Sequence, residues 1–221
     1  MSLNSGKMKG GNGGNRVHQK LIKRGAHMAR IVQVIDIGVQ KRKPWKGTEK
    51  KPVQMMRVTY EFPKVLMMDE DGKPIKDKPR WLTEKMPLYP LKVENAKSTL
   101  RMSVIDPEGE LEGDWTQVGN LPVMVTITHS KDGKYSNIGS VSEMMEGMDV
   151  PELQNPVKIF TMDEPDLEAY NSLPEFIQEE ITSSLDFNGS ALEKLLNGDA
   201  EEVVKEEPEE EEYEVDDDVP Y

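Results

Sequence analysis

Ala29-Arg30-Ile31-Val32-Gln33-Val34-Ile35-Asp36-Ile37-Gly38-Val39-Gln40 is the stretch on which the fold turns. Six of its twelve residues are β-branched, a composition that suits a pleated strand better than a helix. The run is too long for an ordinary flat strand, and Gly38 offers a bend or bulge near its end.

Working outward, the pattern remains β. In residues 53–62, Gln54, Met56, Val58, Tyr60 and Phe62 point one way while Val53, Met55, Arg57, Thr59 and Glu61 point the other. Residues 64–68 extend this strand, and Asp69-Glu70-Asp71-Gly72 turns the chain. Residues 80–88 form the next strand, with Trp81, Thr83 and Lys85 on one face, kept short by Pro79, Pro87 and Pro90. Val93, Ala96, Leu100 and Val104 then recur at helical spacing, which predicts one helix over 93–105, ended by Asp106-Pro107. Residues 121–129 alternate with Val123, Val125 and Ile127 inward, and a turn at Lys131-Asp132-Gly133 leads into a last strand over 134–141.

The expected class is therefore mainly β. Five strands with one helix between the third and fourth is the order of a five-stranded OB-fold, a Greek-key barrel that binds nucleic-acid strands or sugars across strands two and three. Other small barrels share this pattern. The expected domain plan is a flexible basic arm (1–26), the barrel (27–147), an acidic segment with short helices (148–198) and a disordered acidic tail (199–221). Within the third part, Ser172 before Leu173-Pro174-Glu175 is the expected N-cap of a helix whose Phe176, Ile177 and Ile181 form an apolar patch.

Charge is distributed unevenly over the 221 residues. The net charge is −13, yet residues 1–52 carry +11, residues 53–198 carry −12 and the tail another −12. A basic head and an acidic end suit a polyanion-binding body whose own tail competes for the same surface. No apolar run reaches the roughly 20 residues of a membrane span, and no leader-like apolar segment opens the chain. The absence of cysteine excludes disulfides and thiolate sites and fits a reducing interior.

No catalytic constellation emerges, so an enzyme is not expected, and no cofactor or metal is called for. His18, His27 and His129 have no nucleophile or acid partner in a recognisable motif. Gly10-Gly11-Asn12-Gly13-Gly14 lacks the strand and helix of a phosphate loop, and Asp69-Glu70-Asp71-Gly72 lacks the closing acid of a calcium loop. What recurs is cations beside aromatics. Lys41, Arg42, Lys43, Trp45, Lys46, Lys50 and Lys51 occupy one Pro-bracketed loop, and Arg57, Tyr60, Arg80, Trp81 and Lys85 the adjoining strands. Single-stranded nucleic acid is held this way, with cations following phosphates and flat rings stacking on bases. Core packing is the competing role for Tyr60 and Trp81 and the expected one for Phe62, whereas the basic loop gives Trp45 little core to enter. Trp115 and Tyr135 are open between core, hairpin surface and binding.

The terminal Asp216-Asp217-Asp218-Val219-Pro220-Tyr221 resembles the acidic tip of bacterial single-stranded DNA-binding proteins, with Tyr where that tip has Phe. The stretch quoted first, together with Asn137-Ile138-Gly139-Ser140-Val141-Ser142 and Leu173-Pro174-Glu175-Phe176-Ile177-Gln178, resembles tailed-phage single-stranded DNA-binding proteins. That resemblance implies an OB-fold, single-stranded DNA as ligand, and replication or recombination in the cytoplasm of a bacterial host. It also implies partner enzymes recruited by the tip. Two other classes stay open from the residues: an acidic interaction or nucleic-acid-mimic protein, and a single-stranded RNA binder.

Overall fold

The computed structural model describes residues 19–44, 46–145 and 147–198. The stretch quoted first is its central strand, β1 (Gly25–Gln40), which begins four residues earlier than its β-branched run. β2 (Val53–Met68) pairs antiparallel with one edge of β1, and β4 (Pro122–His129) with the other edge over residues 25–30. β3 (Pro74–Pro87) joins β2, and β5 (Ser136–Ser142) joins β4, so the ladder runs β3-β2-β1-β4-β5. The single helix α1 (Lys97–Ile105) falls between β3 and β4. Among the described residues no β3–β5 ladder closes this path, so the sheet is open.

A sixth strand was not expected. β6 (Lys158–Phe160) pairs parallel with β1, matching Gln33 to Lys158 and Ile35 to Phe160, and so continues the edge that β4 leaves at residue 30. Three residues are too few to show a period of two in the sequence. Three short helices follow: α2 (Leu167–Asn171), α3 (Glu175–Thr182) and α4 (Ala191–Asn197). Ser172, expected to cap α3, instead ends α2, where its Oγ donates to the Ala169 carbonyl at 2.6 Å, and Pro174 occupies the N-cap position of α3.

Two cores lie on opposite sides of the sheet. The larger one takes the inward residues of β1, β2, β4 and β5, among them Ile31, Val58, Phe62, Val123, Val125 and Ile127, with Met102, Trp115 and Val118 over them. The smaller one packs Ile35 and Ile37 of β1 against Phe160, Met162, Tyr170, Leu173, Ile177, Ile181 and Leu192. Gly38 makes this second contact possible. Its φ is +70° at a shift in the β1–β2 register, and a Cβ there would lie 2.6 Å from Ser184 Oγ and Asp186 Oδ1. The bulge read from the sequence is thus also a point of close approach.

Several expectations need correction. β3 is longer than its prolines suggested because it is an edge strand, where proline is tolerated. α1 starts at Lys97, and its inward residues are Ser98, Arg101 and Met102, while Leu100 is exposed. Arg101, in a buried ion pair with Glu84, shares the inward face with Met102, while Val104 and Ile105 pack against the same core. Residues 19–24, assigned to the flexible arm on composition, are fastened to the sheet. Ile22 is buried, its N–H donates to Ser136 Oγ (3.0 Å), and Gln19 exchanges two hydrogen bonds with the Met68 backbone.

Candidate nucleic-acid interface

The outward face of β2 and β3 carries Arg57, Thr59 and Glu61 directly paired with Lys85, Thr83 and Trp81. Alternation dictates this arrangement, since the other faces of the same strands fill the larger core. Three kinds of chemistry succeed one another along it.

At one end is Trp81, 41% exposed, whose Nε1 donates to Glu61 Oε2 at 2.9 Å. Glu61 itself is fully buried and also accepts from the Gln154 backbone N–H (2.7 Å) and Asn155 Nδ2 (2.6 Å). The indole is therefore held at its polar edge while part of its ring remains accessible. It lines an open groove of about 450 Å³ together with Met67, Asp77, Lys78, Pro79, Arg80 and Asn155. Arg80 is steadied by donating from Nη1 to the Lys20 carbonyl at 2.8 Å, and burial lowers its pKa from the usual arginine value.

The middle of the face is neutral and polar. Thr59 Oγ1 lies 2.9 Å from Thr83 Oγ1 and donates to Gln33 Oε1 at 3.2 Å.

At the other end Arg57 and Lys85 converge on Glu180 of α3. Arg57 Nε donates to Glu180 Oε2 at 2.7 Å, and Lys85 Nζ is ion-paired with Oε1. The Phe176 ring lies 5.4 Å from the Arg57 guanidinium carbon. Burial alone would raise the Glu180 carboxyl, but the hydrogen bonds and charges of Lys85 and Arg57 outweigh it and hold the group below the usual carboxylate range.

The cation-and-aromatic set is thus divided. Trp81, Arg57 and Lys85 share one face of β2 and β3, whereas Arg80, paired with Phe62, belongs to the alternate set and lines the groove beside Trp81. Tyr60 does not join them: it is fully buried in the larger core and its hydroxyl donates to Glu84 Oε1 at 2.7 Å, so no ring face is open to a base. Of the β1–β2 connection, Lys41, Lys43, Lys46 and Lys51 are exposed, Lys50 is half-buried, and Arg42 donates from Nη1 to Tyr89 Oη at 3.1 Å. Trp45 and the tip Asp216, Asp217, Asp218, Val219, Pro220 and Tyr221 lie outside the described residues. Phe62 and Trp115 are core, and Tyr135 is an exposed residue of the β4–β5 hairpin.

Glu61 and Glu180 are the residues that sequence reading missed. Glu61 carried a signal, since an acid at an outward strand position beside a Trp has an indole N–H to accept. Glu180 carried none, because its partner Arg57 is 123 residues away. Among the described residues, no group of three His, Cys, Asp or Glu side chains is placed to hold a metal ion, and no helix is long and apolar enough to cross a membrane.

No protein-family profile, curated protein or solved structure matches this chain. Its functional reading rests on the geometry above and on the sequence.

Proposed function

We propose that this protein binds single-stranded DNA without sequence preference, through an OB-type face formed by β2, β3 and the basic β1–β2 connection. The observation that carries the reading is Trp81, a half-exposed indole pinned at its N–H by a buried carboxylate inside a groove flanked by Lys78 and Arg80. A flat ring offered edge-fixed and face-open stacks on any base, and neighbouring cations follow the backbone, which is why such binding is indifferent to sequence and sensitive to salt. The strand order and the position of α1 support the OB assignment. The resemblance of the body stretches supports a place in phage replication or recombination, and that of the tail tip supports recruitment of partner enzymes by residues 216–221, with the acidic run competing for the basic surface.

Titration of the full chain with oligo-dT tests the proposal. Tryptophan emission should be quenched on binding, and affinity should fall steeply as salt rises. An absence of binding at low salt overturns it. Parallel titrations with duplex DNA and with RNA separate a DNA function from an RNA one, since stacking alone does not read the sugar. Deleting residues 199–221 should tighten DNA binding and abolish partner capture; unchanged affinity rejects tail competition.

A further inference from the structure

We infer that Arg57 and Lys85 form a phosphate site whose resident anion is the Glu180 carboxylate, so that a bound strand takes the place of this side chain. The inference rests on the proposed single-strand binding and deepens it.

Arg57 and Lys85 are directly paired across β2 and β3 and project from the same face. Both direct their nitrogens at the two oxygens of one carboxylate. A phosphate presents the same kind of paired oxygen acceptors to a guanidinium and an ammonium, so a site that satisfies Glu180 satisfies a phosphodiester as well. The site is also in line with the stacking platform. Lys85 lies four residues along β3 from Trp81 on the same face, about 13 Å at the rise of a strand. That distance fits within the roughly 4 to 16 nucleotides that one OB-type module holds. Thr83 is exposed in the interval, its neutral hydroxyl 2.9 Å from that of the buried Thr59, and the one carboxylate there, Glu61, is buried and occupied by its three donors. The path between the platform and the cation pair thus presents no exposed acid from β2 or β3.

Glu180 is placed to leave without unfolding its helix. α3 is anchored by Ile177 and Ile181 in the smaller core, by Gln178 Nε2 donating to the Tyr170 and Leu173 carbonyls, and by Gln40 Nε2 donating to the Glu180 carbonyl. None of these contacts uses the Glu180 carboxylate, which is 19% exposed. Rotation of the side chain towards solvent vacates both cations while the helix stays docked. Phe176, 57% exposed on the same helix and already beside Arg57, then borders the vacated site with a second open ring.

The test compares Glu180→Gln with Glu179→Gln in the full chain, using oligo-dT at low salt. Glu179 is exposed on the same helix, and its removal changes the net charge equally. If the open form is about one molecule in ten, Glu180→Gln should tighten binding about tenfold, because apparent affinity scales with the competent fraction. Glu179→Gln should leave affinity within about twofold of wild type, as expected for a screened surface charge. The gain should vanish in Glu180→Gln/Lys85→Ala. Thermal unfolding of each variant establishes that α3 remains docked. Equal affinities for the two single variants, with wild type still binding, overturn this inference alone and leave Glu180 as a fastener of α3. Failure of every protein to bind overturns the parent reading together with it.

Discussion

Neighbouring residues of β3 belong to two clusters of similar composition on opposite faces of the sheet. Inside, Glu84 accepts from Arg101 Nε (3.0 Å), Arg101 Nη2 (3.2 Å) and Tyr60 Oη (2.7 Å), and Lys97 Nζ lies 2.7 Å from Oε2. Outside, Lys85 and Arg57 meet Glu180. Each cluster is one carboxylate between two cations, but the carboxylate comes from the sheet in the first and from an appended helix in the second. The Glu84 side chain is 5% exposed against 19% for Glu180. Burial alone would raise Glu84, yet the hydrogen bonds and charge of Arg101, followed by those of Lys97, hold it below the usual range, as at Glu180. The same chemistry therefore serves two purposes. Where the partners are sealed in, losing one strands a charge in the core; where water reaches them, the partners can be exchanged.

The largest effect should come from breaking the inner cluster. Arg101→Ala leaves the Glu84 carboxylate buried without its main cation and should cost about 3–5 kcal/mol of stability, read as a lower urea midpoint. Glu180→Gln should cost less than about 1 kcal/mol in the same measurement. Equal losses would dissolve the distinction between the clusters. Next in size, Trp81→Ala should weaken oligo-dT binding by about 1–3 kcal/mol. It also takes one of three donors from buried Glu61, so the unfolding midpoint should fall, by less than in Arg101→Ala. Unchanged oligo-dT binding would mark a purely structural tryptophan.

Acid should sharpen the comparison. A carboxylate with a depressed folded pKa contributes stability that is present above its unfolded value, near 4.5, and is lost as pH falls through the folded value. Glu84→Gln should accordingly flatten the acid side of the stability profile below about pH 4.5. Asp36 has the opposite sign. Burial raises its pKa although the Gly38 and Met162 N–H groups bond to it, so its contribution declines as pH rises from 3.8 through the raised value, and Asp36→Asn should remove that decline. The smallest effect is expected at Phe176→Ala, which removes the ring beside Arg57 and should cost about 0.5–1 kcal/mol at this exposed position.

Much of the sheet was legible because alternation reports which face is buried. Val123, Val125 and Ile127, or Met56, Val58, Tyr60 and Phe62, sort themselves by period alone. The same signal could not separate a core aromatic from a stacking one, because Tyr60 and Trp81 both sit inside alternating strands. What separates them is the face each occupies once the strands pair, together with the acid each finds: Glu84 inside and Glu61 outside. One position of α1, Leu100, was misread for a related reason, whereas Val93, Ala96 and Val104 do face the core. Periodicity counts apolar residues, and here a buried arginine outcompetes Leu100 for the inward position. The Glu180 cluster joins residues 95 and 123 positions apart, beyond the reach of any local pattern.

The three residues of β6 have a consequence for how the chain can be divided. β1 carries β4 on one edge through residue 30 and β6 on that same edge at residues 33–35. A fragment ending at residue 147 keeps all five long strands but leaves this part of the edge without a partner, and it uncovers Ile35 and Ile37 at the same place. An unpaired edge beside a bare apolar face is a template for strand addition by another molecule. The nascent chain passes through that state during synthesis, from the completion of β5 until Phe160 arrives to occupy the gap.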